Sequence, residues 1–181
     1  MDSSKTSIRL LRRSALGLGL LAIPICLYIA FSQAAPKFDS ALLLKEEPMG
    51  AVDVLALRKD VEDQQDVVVV GRIGGRVNPW VNGTAVFPIV DRSLTPCNEI
   101  EGDTCKTPWD YCCESNLPKA TVLVMLVDDK GKVLKQDPRE SLPVKELQTV
   151  VIQGKAKRDP AGNVTILASR IHIRDDEKAK P

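Results

Sequence analysis

The chain has 181 residues, with 25 Lys and Arg against 24 Asp and Glu, 44% apolar residues, 4% aromatics and a single histidine. That length and apolar content suit one compact domain with a tail, and the balanced charge excludes a protein that coats polyanions. One histidine also excludes any site built on two imidazoles, as in most zinc hydrolases.

Residues 1–34 read as an address. Lys5, Arg9, Arg12 and Arg13 precede a charge-free apolar run over residues 15–31, which ends in the small-x-small tripeptide Ser32-Gln33-Ala34. A basic start, an apolar middle and a small-residue end are the parts of an export signal. The run of 17 residues falls between a cleaved signal peptide and a bilayer-spanning anchor, so both readings stand. Either way the basic residues stay in the cytoplasm and the remainder is exported, attached through residues 15–31 if uncleaved. Losing residues 1–34 removes four basic residues and one acidic residue, leaving 21 positive against 23 negative charges. Nucleic-acid affinity rests on phosphate neutralisation, which makes nucleic acid an unfavoured partner.

Residues 35–50 form a linker. Over 51–65, Val54, Leu57 and Val61 share a helical face, predicting a helical lead-in. Residues 66–77 are a β-branched run broken by Gly71 and Gly74-Gly75, where glycine marks a bend or a close backbone approach. Asn82-Gly83 is a hairpin turn signature ahead of a second strand at 83–91. A third strand, 120–128, is too continuously apolar to face water on either side. Residues 137–148 are the one place for a short helix between strands. Strands at 149–157 and 163–175 follow, and the second reads as clean alternation, Val164, Ile166 and Ala168 against Thr165, Leu167 and Ser169, then Ile171 and Ile173 opposite His172. Residues 176–181 are a tail.

Five strands, a glycine-kinked first strand and a connector before the fourth predict an all-β fold with a short N-terminal helix: a five-stranded OB-type barrel over 66–175. The unit VVIQGKAKRDPAGNVTILASRIHI (150–173) resembles the closing hairpin of OB folds. Between the second and third strands lies a cysteine-rich insertion, 92–119, which holds Cys97, Cys105, Cys112 and Cys113. The whole chain is similar to an uncharacterised family of exported bacterial proteins with a C…C…PWDYCC segment, a resemblance that implies no activity.

Export and an even cysteine count favour disulfides. Adjacent cysteines resist bonding to each other, which predicts two bridges from Cys97 and Cys105 to the pair Cys112–Cys113. The spacing lacks the C-x-x-C knuckle of common zinc sites, so no metal or other cofactor is expected. In Pro-Trp-Asp-Tyr, residues Trp109, Asp110 and Tyr111 are candidates for contacting a partner, as is Trp80 in the turn before the second strand; the competing reading of each aromatic is local core. His172 falls on a strand position opposite the apolar face and reads as a surface residue.

No catalytic constellation is present, so the chain reads as a non-enzyme: a binding or assembly module of the cell envelope, presenting a stapled aromatic loop to an envelope protein or a glycan. One alternative is metal or haem handling. The stretch Arg72-Ile73-Gly74-Gly75-Arg76-Val77 and the late His172 resemble parts of the periplasmic haem chaperone of cytochrome c maturation, but no tyrosine follows His172. The other is binding of oligosaccharide or single-stranded nucleic acid, for which Phe87 is the one obvious strand aromatic.

Overall fold

A computed structural model describes residues 42–175. The expected export segment, the start of the linker and the tail lie outside them. Among the described residues no helix is long and apolar enough to cross a membrane; residues 15–31 are not among these.

Five strands close the barrel: β1 (Asp66–Ile73), β2 (Val86–Val90), β3 (Thr121–Leu126), β4 (Thr149–Arg158) and β5 (Val164–Ile173). Their order is β1-β2-β3-β5-β4, with β4 returning to pair with β1. The β3–β5 pair is parallel and the other four pairs are antiparallel. This is the strand order of an OB barrel, with the insertion between the second and third strands as the sequence predicts. A two-residue strand, Val52–Asp53, lies parallel to β1 and leads into helix α1 (Val54–Asp60).

Alternation explains the core. On β3, Val122, Val124 and Leu126 point inward and are buried, while Thr121, Leu123 and Met125 point outward. Phe87 and Ile89 of β2, Val150 and Ile152 of β4, and Val164 and Ile166 of β5 complete the interior. Each such side chain contributes roughly 1.5–3 kcal/mol by leaving water. The alternation expected over 163–175 switches phase within β5, and the cause is local. Gln153 faces Arg170 but Gly154 faces Ala168, which leaves Ser169 as the extra residue of a bulge. Only glycine permits this approach, because a Cβ on residue 154 would lie 2.2 Å from the Leu167 carbonyl oxygen.

Three expectations change. Asn82-Gly83 makes a turn, with Gly83 at φ +69°, but it does not join β1 to β2. It lies in the long loop between them, where Thr84 donates to the Val81 carbonyl, and β1 pairs with β2 only at Arg72–Val90 and Ile73–Ile89. The helix expected over 137–148 is a single 3-10 turn, Pro138–Glu140; Pro143 follows directly and removes a backbone donor from any continuing helix. Trp80 is not available to a partner. Its ring sits 5.7 Å from Phe87 at a 52° tilt, its Nε1 donates to the Glu146 carboxylate, and the Arg139 guanidinium lies 5.1 Å above it.

Candidate functional site

The insertion is held at both ends by α1. The Asp91 carboxylate accepts the Leu55 N–H at 2.7 Å, so it caps the first turn that Asp53 leaves uncapped. Asp53 instead forms a two-point ion pair with Arg92. At the far end, the Arg58 guanidinium donates to the carbonyls of Pro118 and Thr121. Burial works to raise the Asp91 pKa, but the Leu55 N–H, the Ser93 hydroxyl and N–H, and the Arg92 charge outweigh it and hold the carboxyl below its ordinary value.

The middle of the insertion docks on the glycine pair that ends β1. Gly75 N–H donates to the Trp109 carbonyl at 2.7 Å, and Trp109 Nε1 donates to the Val77 carbonyl at 3.0 Å. A Cβ on Gly74 would meet the Trp109 oxygen at 2.6 Å and Tyr111 Cε2 at 3.0 Å. Tyr111 is fully buried in a small second core with Val90, Leu94 and Ala120, flanked by Leu55, Leu117 and Leu147. Among the described residues its hydroxyl makes no hydrogen bond of ordinary geometry, although the Arg72 side chain approaches it. Burial pushes its ionisation up to about 12, with the nearby Arg72 charge acting in the opposite direction. Tyr111 therefore anchors the insertion from within and offers no face to a partner. Trp109 is half-buried, with its polar edge engaged.

The four cysteines gather beside this anchor, but the two expected disulfides are not formed. Cys97 Sγ lies 3.5 Å from Cys112 Sγ, and Cys112 Sγ lies 3.9 Å from Cys113 Sγ, whereas a disulfide needs about 2.05 Å. Asp110 organises the turn that brings them together. Its Oδ1 accepts the Cys112 N–H at 2.9 Å, its Oδ2 accepts the Thr107 hydroxyl at 2.9 Å, and Oδ1 faces Cys97 Sγ at 3.9 Å. Burial raises the pKa of Cys97, against hydrogen bonds from the Cys112 thiol and from the Cys113 and Cys112 N–H groups. Cys112 is also raised, first through its contact with Cys97 and then through Cys113.

A separate groove of about 390 Å³ runs along the outside of the barrel. Its walls come from β2 and β3 (Pro88, Leu123), from the loop after β1 (Arg76), from the β4–β5 turn (Asn163) and from the end of the insertion (Leu117, Pro118). These are the strand face and the two loops through which OB barrels contact ligands. The groove continues onto an aliphatic strip. Pro88 pairs with Leu123, Val86 with Met125, and Met125 with Leu167, on the strand positions that alternate with the core; Pro88 is buried and the other four are half-buried. Arg76 is exposed at one end and makes no ion pair among the described residues. Another hollow of about 660 Å³ carries mixed charges, including Asp66 and Lys155, which pair with each other at 2.8 Å.

Of the sequence candidates, Cys97, Cys105, Cys112, Cys113, Trp109, Asp110 and Tyr111 come together in the insertion, while Trp80 belongs to the main core. The groove was not anticipated from residue types, although the unbroken apolar character of residues 120–128 was its trace. Phe87, the one strand aromatic considered for stacking, is fully buried. His172 is half-buried, with Nδ1 3.1 Å from the Leu44 carbonyl.

No family model and no curated protein matches the sequence. Among solved structures, the chain is similar to the hypothetical protein ygiW from E. coli, at a TM-score of 0.39 and 20% identity over 70% of this chain and 94% of that one. It is also similar to fission yeast Pot1, solved with ssDNA (0.37, 13% identity, 65% of this chain and 38% of that one). A third likeness is to the S. pombe Stn1-ten1 complex (0.30, 17% identity, 76% of this chain and 78% of that one). The fold assignment stands on strand order and register.

Proposed function

We propose that this chain is a non-enzymatic binding module of the cell envelope, exported by residues 1–34, whose β2–β3 face receives an extended apolar segment of a partner protein. The observation that carries this reading is the aliphatic strip of half-buried Val86, Leu123, Met125 and Leu167, beside buried Pro88, on the outer strand positions of an OB barrel, where positions alternating with the core ordinarily carry polar residues. Arg76 beside the groove suits an acidic side chain of the same segment. Bases and sugars stack on aromatic rings. Phe87, Trp80 and Tyr111 all face the interior, which favours a protein over a glycan or a nucleic acid.

The test compares wild-type protein with Leu123→Asp and Met125→Asp, each checked for an unchanged melting temperature. The proposal expects wild-type protein to retain a defined envelope protein that both variants lose, while Trp109→Ala retains it. Retention of that protein by both Asp variants, or binding of the wild type to a single-stranded oligonucleotide or glycan array that Leu123→Asp abolishes, would overturn it.

A further inference from the structure

We propose that Cys97, Cys105, Cys112 and Cys113 are the ligands of one zinc-class ion, held as a tetrathiolate inside the insertion. This inference is independent of what the groove binds.

The spacing of the sulfurs carries the argument. Four thiolates at 2.3 Å from a tetrahedral centre stand about 3.8 Å from one another. The measured separations, 3.5 Å for Cys97–Cys112 and 3.9 Å for Cys112–Cys113, bracket that edge length. Cys97, Cys105, Cys112 and the Asp110 carboxylate lie within 4.8 Å of one another, as do Cys97, Cys113 and the Asp103 carboxylate, so Cys97 is common to both groups. A covalent bridge would require the measured pairs to close by well over 1 Å, whereas shared ligation of an ion needs no such closure at Cys97–Cys112 or Cys112–Cys113.

The backbone is arranged to present these sulfurs. Tyr111 holds a left-handed conformation, φ +56°, which is uncommon for a residue with a side chain. That turn, fixed by the burial of Tyr111 and by the Asp110 contact to the Cys112 N–H, points Cys112 back at Cys97. The adjacent pair therefore serves as two corners of one site, and the absence of a C-x-x-C knuckle from the sequence does not prevent it.

Packing alone leaves this segment without a core. Between residues 97 and 113 the buried side chains are Cys97 and Tyr111, and the regular structure amounts to two three-residue turns, Cys97–Glu99 and Pro108–Asp110. An ion would tie Cys105 and Cys113, which belong to neither buried cluster among the described residues, to Cys97. Binding converts four thiols to thiolates and releases four protons to solvent, with no change in oxidation state. Four protein ligands leave no open position, which makes the site structural rather than catalytic. Asp110, its Oδ1 already bonded to the Cys112 N–H, orients the ligands from outside the shell.

The experiment uses the full chain in a Cys26→Ser background, purified without chelator. Elemental analysis and thiol counting come first, followed by cobalt(II) titration of the reduced protein. The proposal expects one equivalent of zinc, four thiols that become titratable on chelation, and an intense sulfur-to-cobalt charge-transfer band that saturates at one equivalent. Cys105→Ser and Cys113→Ser are each expected to weaken cobalt binding at least tenfold, while Asp110→Asn keeps the band. Two results overturn it: a native mass lowered by four hydrogens with no zinc and no cobalt band after reduction, or a band lost in Asp110→Asn but unchanged in Cys113→Ser.

Discussion

Replacing Gly74 with alanine tests how the insertion is seated on the barrel. The added methyl carbon would lie 2.6 Å from the Trp109 carbonyl oxygen and 3.0 Å from Tyr111 Cε2. Trp109 belongs to the backbone and Tyr111 is fully buried, so neither yields by rotating a flexible end. Relief requires residues 109–111 to lift, which stretches the 2.7 Å bond from Gly75 N–H to the Trp109 carbonyl. Overpacking costs about 1–3 kcal/mol and the lost hydrogen bond about 0.5–1.5 kcal/mol, so the expected loss is about 2–4 kcal/mol. Urea unfolding reads this as a lower midpoint at an unchanged slope. Acrylamide quenching locates it: Trp109 becomes more accessible, while Trp80 stays shielded in the main core. A variant within 0.5 kcal/mol of wild type with unchanged quenching would refute the docking geometry.

Other consequences follow from the same contacts. Tyr111→Phe removes a buried hydroxyl whose polar neighbour is the Arg72 side chain and is expected to change stability by less than about 1 kcal/mol, whereas Tyr111→Ala costs about 3–5 kcal/mol; thermal melts separate the two. Asp91 has its pKa held below the unfolded value near 3.9, so its contribution is complete above about pH 4 and is lost as pH falls through the folded pKa. Asp91→Asn should therefore cost about 1.5–3 kcal/mol at pH 7 and less as pH falls below the unfolded value, checked by denaturant unfolding over a pH series. A difference that does not shrink with falling pH would contradict the assignment of that carboxylate as the cap of α1.

Much of the barrel was legible because it is written in short-range alternation. The buried triplet Val122, Val124 and Leu126 and the inward set on β5 follow directly from period two. The Ser169 bulge was missed: reading 163–175 as clean alternation passes over the change of phase between Ala168 and Ile171 that the bulge produces. The failures involve partners far apart in sequence. Asn82-Gly83 has the chemistry of a hairpin turn, but the residues it brings together are chosen by the loop over Trp80 and not by β1 and β2. Asp91 reads as an ordinary turn residue, yet its partner is Leu55, 36 positions away. Aromatic content suggested a presented loop at Trp109 and Tyr111; burial decided otherwise for Tyr111, because Val90, Leu94 and Ala120 supply an apolar seat, while Trp109 stays half-buried. Cysteine parity favoured bridges, a statistical preference that carries no information on where four sulfurs come to rest.

The most direct test of the account is a photo-crosslinking amino acid placed at position 123, in the middle of the outward aliphatic strip, in cells that make the chain at its normal level. The account predicts a discrete protein adduct from position 123, absent when the same probe replaces Lys157, an exposed residue of β4. Equal labelling from both positions, or adducts carrying glycan or nucleic acid instead of a polypeptide, would contradict it.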